Sequence, residues 1–220
     1  MTHMRKKTRR DPRENCEMNT EILLALIGFA FVTSVTPGPN NMMLLASGAN
    51  FGFRRSLPHM LGIGLGHSLM VFLVGIGLGA VINTLPGLML ALKALALAYM
   101  LWLAWKIAHA AAPEGTAPGA QPMTFLQAAA FQWVNPKARA MALGAISAYA
   151  PGIGLNSGAA AALLVALVFA AVNFPSISVW TLAGEALRGL LRNPTALRRF
   201  NWTMATLLIL SLIPVLRMDF

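Results

Sequence analysis

Charge is what this sequence has least of. Only 11% of its 220 residues are Asp, Glu, Lys or Arg, against about 25% in a soluble domain. So little polar surface cannot cover a water-exposed globule of this length, and the mean hydropathy of +0.64 points to lipid in place of part of the solvent. Acidic residues are scarcest, at seven. Asp11, Glu14, Glu17, Glu21, Glu114 and Asp219 fall in tails, connectors or at a membrane edge. Glu185 alone follows directly on an apolar block, with Arg188 at helical spacing beyond it. This leaves no deep carboxylate as a proton or sodium site, which disfavours a cation or metal exporter. A single cysteine, Cys16, excludes an intramolecular disulfide framework, and no Cys/His cluster has metal-site spacing. Neither a metal nor a cofactor is expected. With no nucleophile–base pair at depth, a membrane-embedded enzyme is disfavoured as well. Residues 1–17 lack an apolar h-region, so they are not a secretory signal. They read as a basic, disordered tail, with Met18 as an alternative biological start.

What the sequence does have is apolar residues, 57% of the total, in long blocks. A span needs about 20 mostly apolar residues to cross the hydrocarbon core. Six blocks qualify, at 21–49, 57–82, 85–105, 125–150, 157–184 and 201–216. They are continuous runs, not the alternating ten-residue segments of barrel strands, and in lipid such runs satisfy their backbone only as helices. The fold class is therefore all-α: a polytopic membrane protein with six transmembrane helices. The net charge of +10 sits in short connectors, without the aromatic-laced stripe of a nucleic-acid binder. Arg54 and Arg55 follow the first helix, Lys106 the third, and Arg188, Arg192, Arg198 and Arg199 the fifth. The connectors around Asn83 and around 151–156 carry none. The positive-inside rule puts the basic connectors in the cytoplasm and both termini outside; the basic tail conflicts with that placement and favours Met18 as the start.

The chain also reads as a duplication. TPGPNNMMLLASG at 36–48 aligns with VNPKARAMALG at 134–144, each a proline break followed by a Met- and Leu-bearing run ending in Gly. Three helices (18–110) precede a Pro/Ala/Gly-rich linker (111–122) and three (123–220) follow it. An odd number per half inverts one half relative to the other, the 3+3 inverted repeat of secondary transporters, with broken first and fourth helices. A non-transporting scaffold subunit would not need two matched breaks.

At the first break, Thr36, Pro37, Gly38, Pro39, Asn40 and Asn41 cannot continue a regular helix. Broken backbone at membrane depth is tolerated only against protein or a hydrated cavity. A half-helix beginning near Pro39 would aim its N–H groups at a substrate carboxylate, with Asn40 and Asn41 adding neutral donors and acceptors. At the second break, Pro136 stops the helix, Asn135 can cap the next one, and Lys137 stands as a carboxylate ligand, a gate charge or a snorkelling cation. For Arg139 snorkelling is the preferred reading. Asn173 and Pro175 interrupt the fifth helix, where Asn173 could line the pathway. His67 is a candidate proton relay, though hydrogen-bonded packing is the blander reading, and His59 lies too far round the helix to share a metal-binding face with it. Gly62/Gly66 and Gly75/Gly79 are GxxxG pairs for close helix packing. Tyr99, Trp102 and Trp105 read as interfacial anchors. Lys93 either faces the cavity or snorkels.

These residues together resemble the LysE/RhtB family of amino-acid exporters. TPGPNN at 36–41, GFRRSL at 52–57 followed by GIGLG at 62–66, AYMLWLAWKIA at 98–108 and NPK at 135–137 occur in family order across residues 18–220. The third-helix stretch and FQWVN at 131–135 look most like the branch that exports cysteine and O-acetylserine. The resemblance implies export of a small amino acid or related zwitterion, or of another small solute, across the bacterial inner membrane. The export it implies is driven by the membrane potential or a proton gradient, a proton being the expected coupling ion, and a homodimer is among the expected assemblies. Many family members carry Asp where His67 stands and Gly where Ala96 and Ala104 stand, so a carboxylate proton site does not carry over.

Overall fold

The computed structural model describes residues 19–79, 86–109 and 121–213. The basic tail with Cys16 and Met18, the connector around Asn83, most of the linker, the C-terminal end and the Lys93 side chain lie outside the described residues.

Among the described residues there are eight α-helices and no strand. They are α1 (Thr20–Val35), α2 (Pro39–Phe51), α3 (Phe53–Leu73), α4 (Pro86–Ala108), α5 (Phe125–Val134), α6 (Pro136–Tyr149), α7 (Gly158–Leu187) and α8 (Pro194–Leu210). A π-helical turn, Val74–Leu78, extends α3. Its Gly77 has φ 113°, a conformation that a side chain would oppose. Helices α3 with its extension and α7 are long and apolar enough to cross a membrane, and α1 with α2, bent by 54° at residues 36–38, makes a third candidate. The outer face is apolar, unlike that of a soluble protein, and several polar side chains are drawn into the interior. Leu69 is 54% exposed and Leu65 53%, whereas His67 between them is 1% exposed. Gln132, Asn201 and Thr181 are fully buried. Leucines outside and amides inside suit lipid on the periphery, so this is a multi-pass helical membrane protein.

Several boundaries differ from those expected. Arg54 and Arg55 lie in the first turn of α3, and Arg198 and Arg199 lie within α8, because a short corner at Gly52 (φ 80°) and an Asn193 cap let the helices begin earlier. The fifth block is not interrupted at Asn173: α7 runs as a single helix through Pro175. A proline deletes one backbone bond, and the apolar helix on either side, held by its neighbours, bridges the loss.

Close crossings bring the helices together. Gly62 and Gly66 of α3 lie against α5: a Cβ on Gly62 would collide with the Phe125 carbonyl, and one on Gly66 would stand 2.6 Å from the Ala129 Cα. This is the packing role expected of the first GxxxG pair. A second crossing was not foreseen. Gly48 of α2 and Gly184 of α7 meet the other helix's backbone, at the Thr181 and Leu45 carbonyls respectively. At the far end, the Asn19 N–H donates to the Ile153 carbonyl (3.2 Å), and Gly152 packs on Ile22. The start of α1 therefore lies beside the chain that leaves α6, and the two helices run antiparallel. The two larger apolar clusters lie around Met60, Phe131 and Ile177 and around Leu26, Met141 and Phe169. The two helix breaks lie where these clusters meet.

Candidate functional site

A broken helix leaves its last carbonyls and first N–H groups without in-helix partners, and each needs another when buried. At the C-terminal end of α1 side chains from three other elements supply nearly all of them. The Thr36 hydroxyl donates to the Thr33 carbonyl (3.1 Å). The Asn41 amide donates to the carbonyls of Ser34 (2.9 Å) and Thr36 (2.8 Å). The Trp180 indole N–H, from α7, donates to the Val35 carbonyl (3.1 Å). The Lys137 ammonium, from the second break, donates to the Thr36 carbonyl (2.6 Å), the Thr36 hydroxyl (2.9 Å) and, at 3.4 Å, the Pro37 carbonyl. A cation is thus held at the negative end of the α1 dipole.

The two following half-helices begin alike, each with a proline at its first position, where no N–H is needed. Their caps differ. Asn135 caps α6, its side-chain oxygen accepting from the N–H groups of Lys137 (3.1 Å) and Ala138 (3.5 Å). The cap position of α2 is Gly38, which makes no side-chain cap bond, so helix geometry leaves the Asn40 and Asn41 N–H groups without an in-helix acceptor. A Cβ on Gly38 would stand 2.6 Å from the Lys137 Cδ, so any other residue there would push the lysine side chain aside.

A second link joins the breaks. The Asn40 and Gln132 amides pair reciprocally, at 2.8 and 3.3 Å, and the Gln132 amide also donates to the Ala128 carbonyl (2.8 Å). Gln132 has only a weak signal in the sequence, an amide three residues before the Asn135 cap in the stretch FQWVN.

Between these links lies a cavity of about 20 Å³, little more than the space one water centre needs. Gly38, Asn40, Asn41, Asn135, Lys137 and Asn173 line it, together with Ser34 and His67. Of the expected site residues, Pro39 is buried beside it, while Thr36 and Pro37 are on the exposed side of the break and take part through their bonds to Lys137. Pro136 opens α6. His67 is not hydrogen-bonded: neither ring nitrogen has a partner, nor has the buried Ser34 hydroxyl, so the histidine is held by edge-on packing against Phe169 at 5.0 Å. Unsatisfied buried polar groups are uncommon and call for a polar occupant or a functional role. No Asp or Glu lines the cavity, and among the described residues no group of three or more His, Cys, Asp or Glu is arranged to hold a metal.

The LysE type translocator family matches residues 31–213. A cysteine/O-acetylserine efflux protein of Escherichia coli (strain K12) is 31% identical over 194 residues, covering 87% of this chain and 96% of the relative. The protein of the same description from Salmonella typhimurium (strain LT2) is 33% identical over 198 residues, with 87% and 96% covered. That from Klebsiella pneumoniae subsp. pneumoniae is 29% identical over 192 residues, with 87% and 95% covered. No solved structure shows significant similarity.

Proposed function

The chain belongs to the LysE type translocator family, and on that premise we propose that it is a secondary transporter exporting small amino acids or related zwitterionic metabolites across the bacterial cytoplasmic membrane. The efflux role carried by its relatives' names supports the substrate class. The observation that carries the reading is the convergence of the two helix breaks, tied by Lys137 and by Asn40–Gln132, around a cavity with unpartnered polar groups.

The six passes in this reading are α1 with α2, α3, α4, α5 with α6, α7 and α8. The antiparallel run of α1 beside α6 supports an inverted 3+3 repeat with the breaks at its interface. The end bearing Arg54, Arg55, Lys106 and Arg188 faces the cytoplasm by the positive-inside rule.

An amino acid is several times larger than a water molecule, so the cavity must widen to hold one. The groups that part are the ones now joining the breaks. Lys137 is a latch: its ammonium bonds to the end of α1 in this conformation and is released when the halves rock apart. The uncapped N-terminus of α2 then receives the substrate carboxylate, and Lys137, freed, becomes a second anion ligand. Ser34, Asn173 and His67 face the amino end. His67 is the relay for a coupling proton.

Efflux of labelled amino acids from loaded cells tests the reading, with O-acetylserine and cysteine among the substrates and with Pro39→Ala and Lys137→Ala as probes of the site. Efflux above the vector control, reduced in both variants, is the expected result. Unchanged efflux in both variants removes the site assignment.

A further inference from the structure

The larger cavity is elsewhere. It has a volume of about 190 Å³, more than an apolar cavity that admits benzene, about 150 Å³. It lies at the basic end of the molecule, between the C-terminal halves of α2 and α4, the start of α3 and the segment leading into α5. Helix α2 lines both cavities, with Asn40 and Asn41 at the breaks and Met43, Ser47 and Asn50 here.

Its polar groups are unusual. His59 is 2% exposed, and neither of its ring nitrogens has a partner. The Asn50 side-chain oxygen is also buried without a partner, while its amide donates to the Ala46 carbonyl (2.8 Å) and to Asn201 (3.2 Å). The orientation of Asn50 is therefore held by its donors, leaving its acceptor free. Met43, Leu103, Ile107 and Met123 supply apolar wall. At the rim stands Lys106, its ammonium 5.2 Å from the Trp102 ring centroid. No Asp or Glu is among the lining residues.

We propose that this chamber is a second amino-acid site, selective for small uncharged side chains over cationic ones; it rests on the export reading above for its place on the route. The ligand's ammonium meets two neutral acceptors, the Asn50 oxygen and the unprotonated nitrogen of His59. Its carboxylate turns to Lys106 at the rim. A thiol or short ester side chain lies along the methionine wall, which is soft and adaptable. A second ammonium, as on lysine, finds no carboxylate in a site with little water to solvate it, and an unpaired buried charge is strongly disfavoured. The chamber thereby filters amino acids before they reach the helix breaks.

A single thiol in the chamber wall tests this. Cys16→Ser with Ala46→Cys, in inside-out membrane vesicles, is treated with N-ethylmaleimide with and without O-acetyl-L-serine or L-lysine. At about ten times its Kd, O-acetylserine leaves about a tenth of the sites open, so alkylation should slow about tenfold, and lysine should not slow it. His59→Phe in the same background should abolish the protection. Lys137→Met should retain it while transport falls, since Lys137 lies at the other cavity. Leu103→Cys repeats the measurement from the opposite wall should Ala46→Cys fail to fold. Absence of protection in vesicles that still export, equal protection by lysine, or protection surviving His59→Phe overturns the proposal. Protection without export of any amino acid leaves the site standing and instead refutes the export reading.

Discussion

Replacing Lys137 by Met keeps an unbranched side chain one atom shorter and removes the three donors of the ammonium. The Thr36 carbonyl then keeps one partner, the Asn41 amide at 2.8 Å, and is not orphaned. The Thr36 hydroxyl keeps its own bond to Thr33, and the Pro37 carbonyl loses a contact already long at 3.4 Å. A hydrogen bond from a charged donor contributes about 1.5–3 kcal/mol, and a cation at a helix C-terminus about 0.3–1 kcal/mol at an exposed position. Exposure of Thr36 and the surviving Asn41 bond pull the total to the low end, about 1–2 kcal/mol. At about 2–4 °C per kcal/mol for a chain of this size, the melting temperature in detergent should fall by about 2–8 °C. Thr36→Val removes one of the same contacts, so the double variant should lose less than the sum of the singles, with a coupling of about 0.5–1 kcal/mol. Efflux should fall far more than stability does, because a latch that cannot re-form leaves the two halves without a defined closed state. Additive Thr36 and Lys137 effects with efflux intact would refute the latch.

Other consequences are sharper on stability or on coupling. Gln132→Leu strands the Asn40 amide and should cost about 1–3 kcal/mol, read as a lower melting temperature together with reduced efflux; an unchanged pair of values rules out the bridge. Gly184→Ala drives a methyl into the Leu45 carbonyl and should destabilise by at least about 1–3 kcal/mol. Gly28→Ala meets nothing within 4 Å and should stabilise by about 0.5–1 kcal/mol through backbone entropy; the same sign for both would contradict the crossing. Trp180→Phe loses the bond to the Val35 carbonyl and should cost about 1 kcal/mol, measured by the same melts. His67→Phe keeps a ring against Phe169 but has no nitrogen to carry a proton, so efflux should lose its dependence on the pH gradient; a persisting dependence excludes the relay.

The positions of the two breaks could be read from sequence, because Thr36–Asn41 and Asn135–Lys137 each set proline beside polar residues inside an apolar run. Half-helices were expected near Pro39 and after Pro136, with Asn135 able to cap the second, and the helices do begin at those two prolines with Asn135 as the cap. Pro175 looked similar and was not a break, since a lone proline's effect depends on the helices packed around it. Gln132 was passed over because an amide in that stretch is only a weak local signal. Its partner, Asn40, is 92 residues away.

The sequence alone determined that this chain lives in a bilayer as helices, that two of them break, and that its seven acidic residues fall outside the interiors of the long apolar runs. These properties follow from composition and backbone chemistry, which act within a few residues. Tertiary structure decided which donor serves which orphaned carbonyl. It turned Lys137 into a tie between the two breaks and opened the larger chamber under His59. Those outcomes depend on how closely helices approach, and at Gly48, Gly62 and Gly184 that approach is set by a missing Cβ facing a backbone far away in the chain, a relation that local residue order does not encode.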